Sequence, residues 1–527
     1  MNTRMFSSCF LVAVMLLSSC APKKSHDPER VDSLRVQAEE LLKAQSSMGW
    51  NSWAFGAESN QDSLYKAYAN LFALDNIKLV QRVEQAETNA VQKKRLLYFR
   101  RYLTNEYISK QNAPLSDKVS NLEASATVTF EKKSIPYRQV SSMIANEKNQ
   151  KRRAGLYVSI DPVLDSLNLI HQQIEANNQR LAKELGFPSY NQMAEELKGF
   201  SLNDFKATAG RVLAETETTY TTLLDEIVQK QLKLKRENFF RYDLAPVFRS
   251  EQFDKFFSGI TMLNVVKRTY KSLGIDIDAM RNLKIDSENR PAKNPRAVCY
   301  AIDVPNDVRL SIKPIGGFDD YSALFHEMGH GQHYANTKEN AIEFKYLGEA
   351  TVTENFAFLS EYVLSNQAWL RLHTKMPTKV EKDFLRFQAF HRLYFVRRYC
   401  AKFLYELQLH AGVANPESLY AALQSKAIGH KELPSDRKRY LADVDALFYS
   451  ASYLRAWFLE AQLNAKLSKD FGVNWFENPK AGEFLLSLWA NGDRYNGDEF
   501  AGMIGYDAIS PDVLMGELKM LILFSTR

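Results

Sequence analysis

A mainly α fold carrying one small β-hairpin is the class this chain predicts. Apolar residues recur three and four apart in segment after segment, the spacing of a single helix face. Alternation of apolar and polar residues is confined to 298–303 and 308–313. No linker divides the chain beyond residue 30 and no repeat period is evident, so 30–527 reads as one domain.

The helical pattern starts at 30–46 and continues through 61–72, 77–110, 116–126, 146–160, 162–185, 189–197 and 203–231. Two more segments, 253–273 and 276–285, precede the hairpin. Its strands are 298–303 and 308–313, and Pro305-Asn306-Asp307 supplies the turn. Helices then follow at 321–336, 350–366, 377–412, 417–427, 437–447, 450–470 and 480–490.

The amino terminus has a different character. Arg4 precedes a wholly apolar run, 10–17, and then Ser18-Ser19-Cys20. A basic start, a short apolar stretch and small residues form a secretory signal. It resembles a bacterial lipoprotein signal, which implies removal of 1–19 and lipidation of Cys20. The apolar run is too short to span a bilayer, which needs about 20 residues. Residues 20–29, with Pro22, Lys23, Lys24 and Pro28, read as a flexible tether. The expected location is the bacterial cell envelope, with the lipid on Cys20 holding the protein to a membrane. Cys299 and Cys400 sit in apolar surroundings and read as buried free thiols rather than a disulfide.

A net charge of +6 over 527 residues is small, and no stripe interleaves basic and aromatic residues, which argues against a nucleic-acid partner. With 25% charged and 45% hydrophobic residues the composition is that of an ordinary globular protein.

The chemistry concentrates in His326-Glu327-Met328-Gly329-His330. On a helix, positions i and i+4 share a face, so the two imidazoles can hold one Zn2+ while Glu327 takes a proton from water held by the ion. Gly316-Gly317 turns the chain ahead of this helix, and Asp319 and Asp320 are its candidate N-caps. Gly329 is a poor helix former, which makes sense if something must approach the backbone beside the ligands. His333 continues the same face, as an outer partner of the metal site or as an exposed helix end. A catalytic zinc needs a third protein ligand. Glu354 lies inside the next helix near Phe356 and Phe358, where an unpaired carboxylate would be costly, and is taken as that ligand. Glu349, at the helix start, reads as a first-turn acid or an outer partner. Glu361 reads as a solvated or salt-bridged residue.

The run from Asp319 to His333, with Glu354 downstream, resembles the gluzincin oligopeptidases: the thimet oligopeptidase and oligoendopeptidase F group, and the angiotensin-converting-enzyme group. Further resemblance lies in 307–313, in 181–190 and in the tyrosine-rich 448–455. It implies a two-lobed helical metallopeptidase, with halves of roughly 30–245 and 246–527 facing each other across a cleft. The hairpin's edge strand would border that cleft, where an extended peptide can pair with it. It also implies a tyrosine from the late segment at the oxyanion, and Tyr453 and Tyr449 are the candidates. Ala456 stands where the converting-enzyme pattern places its own tyrosine. Arg455 would position this segment, bind an anion or form an ordinary salt bridge, and His391 and His410 read as structural.

The expectation is a monomeric zinc peptidase acting on short unfolded peptides. Glu327 serves as general base, and zinc with a tyrosine hydroxyl stabilises the tetrahedral oxyanion. The alternative is a catalytically impaired lipoprotein of the same fold that binds zinc or peptides.

Overall fold

The apolar stripes read from the sequence become packed helices. The computed structural model describes residues 27–58 and 61–526. The signal segment 1–19, Cys20 and residues 21–26 lie outside them. Residues 27–29, expected in the tether, instead open the helix Asp27–Phe55. Asp27 and Glu29 favour a helix N-terminus, and Val31, Leu34, Ala38 and Leu41 form its buried stripe.

Helices dominate and the strands are few. The expected segment 77–110 breaks at 87–89, where the Asn89 side chain accepts from the backbone N–H groups of Val91 and Gln92 and caps a new helix, Ala90–Ser125. That helix runs on through Pro114 and absorbs the expected 116–126 segment. A hairpin not anticipated follows: β1 (Thr127–Phe130) pairs antiparallel with β2 (Lys133–Pro136), with Glu131 and Lys132 at positive φ in the turn. Neither turn residue is glycine, so the usual sequence signal was missing.

The expected helix 276–285 is a single turn, Ile277–Ala279, followed by strand β3 (Leu283–Asp286). Leu283 and Ile285 pair in register with Val308 and Leu310 of β5 (Asp307–Ser311), and β5 also pairs antiparallel with β4 (Val298–Asp303). The predicted hairpin is therefore present, enlarged to a three-stranded sheet of order β3-β5-β4 with β4 at an edge. The expected helix 437–447 is also absent, and its place is taken by a short turn, Pro434–Arg437, and loop. Two late helices, Gly497–Met503 and Asp512–Thr526, were not anticipated.

A large apolar core joins residues from Val31 to Leu518 and includes side chains on both sides of position 245. Its middle is the long aromatic helix Thr378–Leu409, packed against Leu202–Leu232 and Tyr449–Phe471. His391 lies among Phe248, Phe387 and Phe395, and His410 packs against Tyr190 at a tilt and bonds Glu175, so both serve packing as expected. Cys299 and Cys400 are free. Among the described residues no helix is long and apolar enough to cross a membrane.

Candidate metal centre

The motif helix spans Phe318–Ala335. It begins earlier than expected, with Gly317 as N-cap, so Asp319 and Asp320 fall in its first turn instead of capping it. Gly317 adopts a φ of 95°, which an L side chain rarely tolerates. Asp320 instead holds the preceding turn, accepting from the backbone N–H groups of Ile315 and Gly316. Asp254 accepts from Phe318 N–H, one of the donors a helix start leaves unsatisfied.

The motif helix packs most extensively on the ligand helix, Ala350–Tyr362. Gly329 marks their closest approach. A Cβ added there would lie 2.5 Å from the Phe356 carbonyl oxygen and 2.6 Å from Ala357 Cα. The glycine read as making room for a close neighbour does so, and the neighbour is the backbone that carries Glu354.

That approach brings His326, His330 and Glu354 together, with one donor atom from each lying within 4.8 Å of the others. Glu354 Oε2 is 3.4 Å from His326 Nε2 and 3.8 Å from His330 Nε2. Ligands about 2.0–2.2 Å from a tetrahedral zinc lie roughly 3.4 Å apart, so the spacing suits that ion. Glu354 Oε2 is sealed from solvent without a hydrogen-bond partner, a costly state for a carboxylate oxygen unless a cation faces it. The donor set therefore fits a divalent metal of the zinc type.

The remaining atoms of the three ligands are held from behind. His326 Nδ1 is 3.0 Å from Glu361 Oε2, and the other Glu361 oxygen accepts from Ser322 Oγ. His330 Nδ1 is 2.8 Å from Thr353 Oγ1, and Tyr449 donates to Glu354 Oε1 at 2.9 Å. Each imidazole thus turns Nε2 toward the shared point, since a partner on one ring nitrogen sets the role of the other. Burial opposes charge on His326, but the Glu354 and Glu361 carboxylates outweigh it and raise the ring to about 10. Burial keeps His330 below its ordinary value. Burial would also raise the Glu354 carboxyl, yet His326, His330 and Tyr449 bring it below the usual range.

Glu327 points to the sheet. Its Oε2 accepts from the backbone N–H of Cys299 on β4 at 2.7 Å, which fixes the carboxylate and leaves its second oxygen available. Tyr453 and Tyr449 stand on the helix Tyr449–Phe471 with ring centroids 5.0 Å apart. They differ in what their hydroxyls do. Tyr449 is committed to Glu354, whereas the Tyr453 hydroxyl has no partner among the described residues and is not sealed from solvent. Burial, followed by the charges of Glu354, Tyr399 and Glu327, holds the Tyr453 phenol above its ordinary value, so it lies within the field of both glutamates. Ala456 is fully buried.

His333 is buried against Tyr334 and Phe356, not at an exposed helix end, and burial lowers it to about 4. Glu349 is the N-cap residue of the ligand helix, and it ties three segments together by accepting from Thr351 Oγ1, Gly497 N–H and Arg455 Nε. Arg455 is ion-paired with Glu349 and Asp498 and lies over Phe200, as a positioning or salt-bridged residue would. Of the two readings of Glu361, solvated or salt-bridged, the second holds, and its partner is His326. Its heptad offset from Glu354 placed it on the same face and was the available signal. Thr353 and the Cys299 N–H carried no signal, because hydroxyls and backbone amides occur everywhere. No known protein-family model matches the sequence.

Proposed function

We propose that the chain is a gluzincin-type zinc peptidase that hydrolyses peptide bonds in short unfolded peptides. The observation that carries this reading is the convergence of His326, His330 and Glu354, with Glu354 Oε2 buried against both imidazoles and making no hydrogen bond. His326, His330 and Glu354 would hold the ion. Bound there, zinc supplies Lewis-acid activation of water and of the scissile carbonyl.

The protein's own groups do the rest. Glu327, anchored by Cys299 N–H, takes the proton of the attacking water and passes it to the leaving amine. Tyr453 donates its free hydroxyl to the developing oxyanion, while Tyr449 steadies the Glu354 carboxylate. Glu361 and Thr353 orient the imidazoles. The edge position of β4 beside Glu327 supports a substrate strand lying along the sheet. The same reading carries the two-lobed architecture with a cleft between 30–245 and 246–527, action as a monomer, and membrane attachment through Cys20.

The alternative of an impaired binder drew on Ala456. An unengaged Tyr453 hydroxyl near both glutamates supports catalysis instead. Digestion of a mixed peptide library tests the proposal, with products read by mass spectrometry. The parent is expected to cleave and to stop when chelated. Glu327→Gln is expected to keep its metal and lose about 10²–10⁴-fold in kcat/KM. Equal cleavage by the variant and the parent would remove the mechanism.

A further inference from the structure

A second site stands beside the metal centre, with Tyr449 in its wall. A cavity of about 450 Å³ is lined by Arg101, Asn105, Lys198, Tyr346, Tyr449 and Asn496, among others. That volume is in the range of small-ligand pockets. Its charged lining is two cations, Arg101 and Lys198, and one acid, Glu349.

Arg101 has no hydrogen-bond or ion-pair partner among the described residues, and its Nε is sealed from solvent. The adjacent Arg100 shows the contrast, since it is paired with Glu84 and Glu196. Lys198 bonds only the neutral Ser452 hydroxyl, at 2.9 Å, and lies 5.5 Å from the Tyr449 ring centre. Burial holds the Arg101 guanidinium below its ordinary range and brings Lys198 down to about 8.

The two cations line the same cavity. Lys198 ends the helix Tyr190–Lys198, and Gly199 follows in the left-handed conformation. A Cβ on Gly199 would meet Arg101 Nη1 at 2.8 Å, so the glycine lets the guanidinium lie against the chain next to Lys198. A buried cation without a bonded carboxylate is unfavourable unless something neutralises it. The nearby acids are committed elsewhere. Glu349 serves Arg455, Thr351 and Gly497. Glu406 accepts from Ser450 Oγ and Asp445 N–H, and Asp445 pairs with Lys402.

We propose that this cavity binds an oxyanion, a carboxylate or phosphate group borne by a small ligand, with Lys198 and Arg101 as its cationic contacts. The chemistry is charge-assisted hydrogen bonding to a guanidinium and an ammonium, with Asn105 and Asn496 as further polar contacts. The inference does not rest on the metal reading. Its source is either a free anion or a carboxylate carried by a peptide.

Isothermal titration calorimetry on the full chain separates these, after metal removal and dialysis to clear the chelator. The ligands are inorganic phosphate and two pentapeptides identical except for a free carboxylate or an amide at the C-terminus. Saturable binding of phosphate, or of the free-carboxylate peptide but not its amide, is expected, and the pattern names the source. Lys198→Met and Arg101→Met should each weaken binding tenfold or more, and Lys198→Arg should restore most of it. Parent protein that binds none of the three ligands overturns the proposal, whatever the variants do. So does binding that both Met variants retain unchanged. Because the experiment is metal-free, its failure would leave the peptidase reading untouched.

Discussion

The metal helices and the tyrosine segment meet at one point but are specified in different ways. In 318–362 the ligands lie on two regular helices, and their positions follow from helix periodicity once Gly329 lets the backbones touch. In 443–457 nothing regular leads up to the site. Leu447 and Phe448 are both left-handed, with φ of 48° and 54°, a conformation that costs roughly 1–2 kcal/mol per non-glycine residue. The turn is held from outside. Tyr190 accepts from Leu447 N–H, Glu406 accepts from Asp445 N–H and Ser450 Oγ, and Arg398 and Lys402 pair with Asp443 and Asp445. The first region is encoded locally, whereas the second depends on residues far away in the chain.

The largest effect is expected from removing the carboxylate that the two packed helices bring to the imidazoles. Glu354→Ala should lower metal affinity by more than the ~10–100-fold that loss of an outer partner costs. Metal content per chain after dialysis reads this directly. A variant that keeps stoichiometric metal would show that the cluster is not the site. Next in size is the division between the tyrosines. Tyr453→Phe should reduce kcat by about 10²–10³ with metal content unchanged. Tyr449→Phe, which strips a hydrogen bond from Glu354, should instead show itself in metal affinity. If both variants lost metal and neither lost turnover alone, the two hydroxyls would have one shared role.

These differences explain how much could be read in advance. The convergence of His326, His330 and Glu354 was legible because helix spacing is a sequence property. The value of Gly329 was legible too, as a gap that some neighbour had to fill. Glu361 is an acid on the right face, but a heptad offset does not tell a solvated carboxylate from one turned inward. The choice between Tyr449 and Tyr453 depends on which hydroxyl is already engaged, and only the assembled helices decide that. The fold shows the same division. Long periodic helices were recovered, while β3 and the 437–447 loop were misread as helix because their contacts are with distant residues: β3 with β5, Asp443 with Arg398.

Glu361 offers a finer test of the first region. Glu361→Gln keeps the shape and removes the charge behind His326, and should weaken metal binding by about 10–100-fold without unfolding the protein. Competition with a chromogenic chelator measures it. An unchanged affinity would return Glu361 to the role of an ordinary helix acid.

The smallest effects compare the two regions by backbone alone. Gly329→Ala inserts a methyl where there is no room, so the motif and ligand helices must part, at a cost of about 1–3 kcal/mol. Leu447→Gly does the opposite to the tyrosine segment. It removes the left-handed penalty of roughly 1–2 kcal/mol, while a partly buried side chain is lost and glycine adds its own entropic cost of about 0.5–1 kcal/mol. Those terms nearly cancel, so its denaturation midpoint should stay close to the parent's while that of Gly329→Ala falls. A large loss for Leu447→Gly would mean that its side chain, rather than the distant contacts around it, holds the turn. The tyrosine segment would then be more locally encoded than the contrast with the metal helices implies.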